Sequence, residues 1–145
     1  MKRESGFTLV ELLIASAITG ILATIIGGSV FAVLNVTEYG NARLTALHEL
    51  QNSGSWLNYD GQMAAAATGG GTLVFTLPTA QTVTYAISGT NLTRTAGSST
   101  MTLAQNITSA SFSVSGNLVT VDLTSAPPGR AGVSEQGTYV VDMRP

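Results

Sequence analysis

The chain of 145 residues contains no cysteine. That removes disulfide staples, thiolate-ligated zinc and thiol nucleophiles from its chemistry, and leaves its redox compartment unreadable. Charge is also scarce. Asp, Glu, Lys and Arg together make up 10% of the residues, against roughly 25% in an ordinary soluble domain. The only histidine, His48, stands beside Glu49 with no second ligand or nucleophile at helical spacing, so it reads as a surface residue. Beyond Thr37 the basic residues are Arg43, Arg94, Arg130 and Arg144, scattered singly. Nucleic acid requires a clustered basic face to neutralise phosphates. With none present and a net charge of −2, no direct nucleic-acid binding is expected. There is no glycine-rich phosphate loop, no metal-ligand spacing and no Ser/His/Asp set in a plausible context. The carboxylates Asp60, Asp122, Glu135 and Asp142 are isolated in sequence. The expectation is no enzyme, no metal and no cofactor.

What the chain does have is apolar length. Hydrophobic residues make up 44% of it, and no charge occurs in the 26 residues from Leu12 to Thr37. As a helix this segment reaches about 39 Å, more than the ~30 Å hydrocarbon core of a bilayer. Lys2 and Arg3 precede it, which predicts a cytoplasmic N-terminus with the bulk of the chain outside. Two ordinary readings compete. "ASA" at 15–17 imitates a signal-peptidase site, but cutting there leaves the apolar "ITGILATIIGG" as a new N-terminus. A plain signal anchor places Glu11 near its cytoplasmic boundary. Neither accounts for a glycine followed at once by "FTLVE".

The hexapeptide "GFTLVE" at 6–11, after a short basic leader and before an unbroken apolar helix, resembles the N-terminus of type IV prepilins and pseudopilins. The likeness is tight over residues 6–34. It implies that an inner-membrane prepilin peptidase cuts between Gly6 and Phe7, that the new amine of Phe7 is methylated, and that Glu11 pairs with the amine of a neighbouring subunit during assembly. Physical chemistry gives the last role independent sense. A carboxylate at mid-membrane costs about 2.5–3.5 kcal/mol on insertion scales and normally has a partner. The span holds no Lys, Arg or His, so the one cation the chain can bring to that depth is an N-terminus made by cleavage. Glu11 thus reads as a registration device between subunits.

Along the span, Ser16, Gly20, Thr24, Gly28 and Ala32 recur at four-residue spacing. This predicts a ridge of small side chains along which helix backbones approach closely. Many major pilins carry proline where Gly28 stands, so the pair Gly27-Gly28 reads as a softer hinge. From residue 36 the pattern becomes amphipathic and predicts helix to about 67. Leu44, Leu47, Leu50 and Leu57 are expected near one packed face, with His48, Glu49 and Asn52 opposite. Trp56, Tyr59 and Met63 form a second cluster that reads as core.

"GGG" at 69–71 is a helix stop. Alternating runs follow at 72–77, 82–87, 91–96, 99–104, 110–114, 117–123 and 138–143, with hairpin turns at "SGTN" (88–91) and "SGN" (115–117). They predict an antiparallel sheet with threonine outward and the other face on the helix. "APPGRAG" at 126–132 reads as an exposed loop. The order of elements matches the pilin plan, and the distal half is more loosely similar to minor pseudopilins of the J class. The expected fold is therefore α+β and pilin-like, a long N-terminal helix packed on a C-terminal antiparallel sheet. Its expected parts are a leader (1–6), a transmembrane and assembly helix (7–35) and an extracytoplasmic domain (36–145). The expected function is that of a pseudopilin or minor pilin subunit in a secretion or pilus filament. Its partners are then the prepilin peptidase, other pilin or pseudopilin subunits and the inner membrane. The alternative is a membrane-anchored binding module that does not polymerise.

Overall fold

The computed structural model describes residues 7–129 and 132–144. Among the described residues there is one helix, α1, which runs Leu9–Met63. Eight strands follow: β1 (Ala66–Thr68), β2 (Leu73–Thr76), β3 (Thr82–Ser88), β4 (Asn91–Ala96), β5 (Ser99–Ala104), β6 (Ile107–Ser115), β7 (Leu118–Ser125) and β8 (Glu135–Asp142). The architecture is α+β, a long N-terminal helix followed by antiparallel sheet, as expected. The chain divides into two compact units, Met1–Thr37 and Glu38–Pro145.

In the second unit the strands form two sheets, not one. Strands β1 to β5 make a five-stranded meander and β6 to β8 a three-stranded one. Among the described residues an isolated antiparallel bridge, in which the Gly70 N–H donates to the Phe112 carbonyl at 3.1 Å, and the Ile107 N–H donated to the Thr90 carbonyl at 2.8 Å link them. Two-residue turns set the register at the expected places. Gly89 (φ 63°) and Gly116 (φ 60°) supply the left-handed conformation that closes β3 onto β4 and β6 onto β7. Alternation then sends Phe75, Val83, Tyr85, Leu92, Val121 and Leu123 into one core, where Phe75 and Tyr85 meet edge to face at 5.8 Å. The opposite side of the first sheet is threonine-lined. Thr84, Thr95 and Thr100 are cross-strand neighbours, and the last two share a 2.9 Å hydroxyl hydrogen bond.

The face α1 buries in this unit is Ala46, Leu50, Ser53, Leu57, Asp60 and Gly61, at spacings of three and four. This departs from the expected leucine face. Leu44 is 66% exposed, because six residues of helix carry it about a third of a turn away from Leu50. Glu49 and Asn52, expected to face away, instead flank the buried stripe. Glu49 accepts from Asn106 Nδ2 (2.8 Å) and Ser125 Oγ (2.7 Å), and Asn52 donates to the Leu103 carbonyl (2.6 Å). Two glycines let β8 close on the helix. A Cβ on Gly54 would lie 2.3 Å from Tyr139 Cε1, and one on Gly61 would lie 2.4 Å from Val141 Cγ1.

The helix also ends earlier than residue 67. Its last helical residue is Met63, and Ala66–Thr68 pair with β2 as a strand. The alanine run favours helix locally, but the Ala65 N–H is donated to the Thr76 carbonyl at 2.8 Å. Tertiary pairing therefore overrides propensity. The Trp56, Tyr59 and Met63 cluster is corrected as well. Trp56 packs on the core, whereas Tyr59 and Met63 are 56% and 51% exposed.

Candidate functional site

The first unit contains the residues singled out for processing and assembly. Gly6, on one side of the expected cut, lies outside the described residues. Phe7 is exposed and non-helical, as is Thr8, and α1 begins at Leu9. Glu11 is in the first helical turn and has a partner in its own chain. Its Oε2 accepts both the Thr8 backbone N–H and the Thr8 hydroxyl, each at 2.8 Å, while the Glu11 N–H donates to Thr8 Oγ1 at 3.3 Å. This is a reciprocal capping box, which satisfies otherwise orphaned donors at the helix start and sets a negative charge at its positive end. The T-x-x-E spacing of Thr8 and Glu11 is the local sequence signal of this box. The carboxylate is therefore hydrogen-bonded before any second chain approaches, but no cation pairs with it among the described residues.

From Phe7 to Val36 every large apolar side chain is exposed. A continuous apolar surface of this extent marks a membrane or protein contact, and by length and composition this helix qualifies as a membrane span. Its polar side chains are arranged accordingly. Ser16 donates to the Leu13 carbonyl, Thr19 to Ala15, Thr24 to Ile21, Ser29 to Ile25 and Thr37 to Val33, all within 2.7–2.9 Å. Each hydroxyl is thus satisfied by its own helix, as an apolar medium demands. The expected ridge of Ser16, Gly20, Thr24, Gly28 and Ala32 lies along this helix. No neighbour comes within 4 Å of a Cβ placed on Gly20, Gly27 or Gly28, so the ridge is open to an approaching helix.

The second unit holds a polar centre that the sequence did not disclose. Asp60, 2% exposed, receives Arg94 Nε at 2.6 Å and Nη2 at 2.7 Å, and also the Tyr85 hydroxyl. Arg94 in turn lies over the Trp56 ring, 4.6 Å from its centroid. Burial, followed by the hydrogen bond to Asp60, raises the Tyr85 pKa far above its ordinary value, and the bond to Asp60 raises that of Arg94. Asp60 and Arg94 are 34 residues apart, and no local motif connects them. His48 is exposed, and among the described residues no cluster of three or more His, Asp or Glu forms a metal site.

Residues 1–27 match the protein-family model described as the prokaryotic N-terminal methylation motif. No curated protein and no solved structure matches the chain. The N-terminus thus carries a prepilin-type motif consistent with the type IV prepilin-like family, a structural and not an enzymatic class, and motif and apolar helix together fit membrane anchoring. Such a motif implies processing by a prepilin peptidase and, in general, assembly with pilin subunits.

Proposed function

We propose that the protein is a pilin-like structural subunit, a pseudopilin or minor pilin of a secretion or pilus filament. It is inserted in the inner membrane with its N-terminus cytoplasmic, cut between Gly6 and Phe7, and methylated on the Phe7 amine. It then polymerises through α1, leaving the Glu38–Pro145 unit outside the bilayer. The observation that carries this reading is the methylation-motif match over residues 1–27. The geometry supports it. A lone membrane helix with hydroxyls turned inward and a bare small-residue ridge is suited to move from lipid into a bundle of like helices. In that bundle Glu11 exchanges its Thr8 partners for the methylated amine of a neighbour, which fixes the axial register, and Ser16, Gly20, Thr24, Gly28 and Ala32 form the close contacts. The absence of a cysteine pair, Gly28 in place of proline and the loose J-class likeness favour a minor component over the principal subunit.

Intact mass of the membrane-extracted protein tests the reading. The expected species begins at Phe7 and carries one added methyl group. A chain that retains Met1, or that begins near Ile18 after signal-peptidase cleavage, would overturn it.

A further inference from the structure

We propose that the groove between the last turns of α1 and the β3–β4 hairpin binds a neutral sugar. The proposal goes beyond the subunit reading and does not depend on assembly. The groove encloses about 730 Å³, within the roughly 300–1,000 Å³ of small-molecule sites. Tyr59 is the aromatic residue of its lining, and Trp56 stands behind it outside the groove. Tyr59 is 56% exposed, and Trp56 meets it edge to face at 6.0 Å. The exposed part of the Tyr59 ring offers apolar surface to the C–H face of a pyranose.

The charges at the floor are already spent on each other. Asp60 is buried and accepts from Arg94 and Tyr85, while the Arg94 side chain is 14% exposed and stacked on Trp56. From Gly61 to Val121 Arg94 is the only charged residue. A phosphate, sulfate or uronate in the groove would find no free cation, and an ammonium no free carboxylate. The remaining groups suit hydroxyls. Gln81 presents an amide and Thr82 and Ser98 present hydroxyls at the rim. The β2–β3 turn fixes that rim. Ala80 holds φ at 61°, a conformation L-residues seldom adopt, with its N–H on the Leu77 carbonyl (2.9 Å) while the Leu77 N–H returns to the Gln81 carbonyl (2.8 Å). An aromatic platform beside amide and hydroxyl groups, with no available charge, selects a neutral polyol.

The test uses the full chain in a zwitterionic detergent that carries no sugar headgroup. Trp56 is the only tryptophan and touches two residues of the groove lining, Tyr59 and Arg94, so its emission is sensitive to a ligand bound against them. The probes are the methyl glycosides of glucose, galactose, mannose and N-acetylglucosamine, with methyl glucuronide as the charged comparison. Saturation-transfer NMR on the same glycosides gives a reading independent of tryptophan emission. The expected result is saturable binding of at least one neutral glycoside, unchanged by added NaCl. Tyr59→Phe should retain it and Tyr59→Ala should weaken it about tenfold or more, with an unaltered far-UV circular dichroism spectrum. Absence of saturable binding by every neutral glycoside, stronger binding of the glucuronide, or wild-type affinity in Tyr59→Ala would overturn the proposal. Because the readout is on the unassembled chain, a failure here leaves the subunit reading standing, and a failure of N-terminal processing leaves this proposal standing.

Discussion

Removing the Asp60 carboxylate is expected to be among the most damaging single changes available in the Glu38–Pro145 unit. Asp60→Ala strips three hydrogen bonds from one point. The Arg94 guanidinium loses both of its hydrogen bonds to Asp60 and the Tyr85 hydroxyl loses its acceptor. Breaking a buried ion pair costs about 3–5 kcal/mol, because the surviving charge stays behind without its partner. A buried hydroxyl left unsatisfied adds about 1–3 kcal/mol. Arg94 offsets part of this, since its side chain is 14% exposed and keeps its contact with Trp56. The expected loss is therefore about 3–5 kcal/mol, a large share of the ~5–15 kcal/mol that holds a domain folded. The assay is urea unfolding of residues 36–145, a fragment expected to be soluble and monomeric because it leaves the apolar span behind. Trp56 emission and far-UV circular dichroism follow the transition. The companion variant Asp60→Leu/Arg94→Met/Tyr85→Phe removes donors and acceptors together and should recover most of the stability. A loss below about 1 kcal/mol in Asp60→Ala, or a triple variant as unstable as the single one, would refute the account of an interdependent buried cluster.

Glu11→Leu should leave insertion and cleavage intact but impair polymerisation, read as peptidase-processed protein that fails to enter sheared filaments. Wild-type incorporation would remove the registration role. Gly61→Ala should lower the urea midpoint by the equivalent of about 1–3 kcal/mol, since its Cβ would lie 2.4 Å from Val141 Cγ1. Gly28→Ala meets no neighbour and should leave the helix at least as stable. Tyr85 and Tyr139 both have pKa values raised by burial. A raised tyrosine pKa contributes stability that is fully present below the unfolded value near 10 and is lost as pH rises through the folded value. The urea midpoint should accordingly be flat across neutral pH and fall above about pH 10, less steeply in Tyr85→Phe.

How far the sequence disclosed this structure depended on whether the deciding interaction was local. The apolar run Leu12–Thr37, the alternating strands and the turns at Gly89 and Gly116 are written in neighbouring residues, and they appear where expected. What was misread turned on distant partners. Ala66–Thr68 became β1 because β2 lay beside it, against the helical preference of the alanine run. Leu44 and Leu50 look alike in sequence, yet only Leu50 meets the core, because the sheets rest on an arc centred nearer Ala46 and Leu57. Asp60 looks isolated in sequence because Tyr85 and Arg94 arrive from strands β3 and β4, respectively. The division into two sheets follows from which strands pair, β5 with β4 and β6 with β7, and no periodicity announces it. At the N-terminus the motif residues were legible, whereas the bond from Thr8 to Glu11 was missed although its spacing was local.

The hydroxyls of Ser16, Thr19, Thr24, Ser29 and Thr37, each turned back on its own helix, make the first unit self-contained in a thermodynamic sense. A helix that borrowed hydrogen bonds from its surroundings would have to surrender them on leaving, and the barrier would grow with every one. For a chain that enters a filament as proposed, the hydrogen bonds of these hydroxyls would be the same in lipid and among protein neighbours. Above Glu11 only dispersion contacts are exchanged, acyl chains for side chains, and the two kinds of contact are similar in strength. Withdrawal from the bilayer would then approach a sliding motion of even resistance. On the proposed reading, the step that would decide whether the chain stays or leaves is confined to the first helical turn, where Glu11 would change partners.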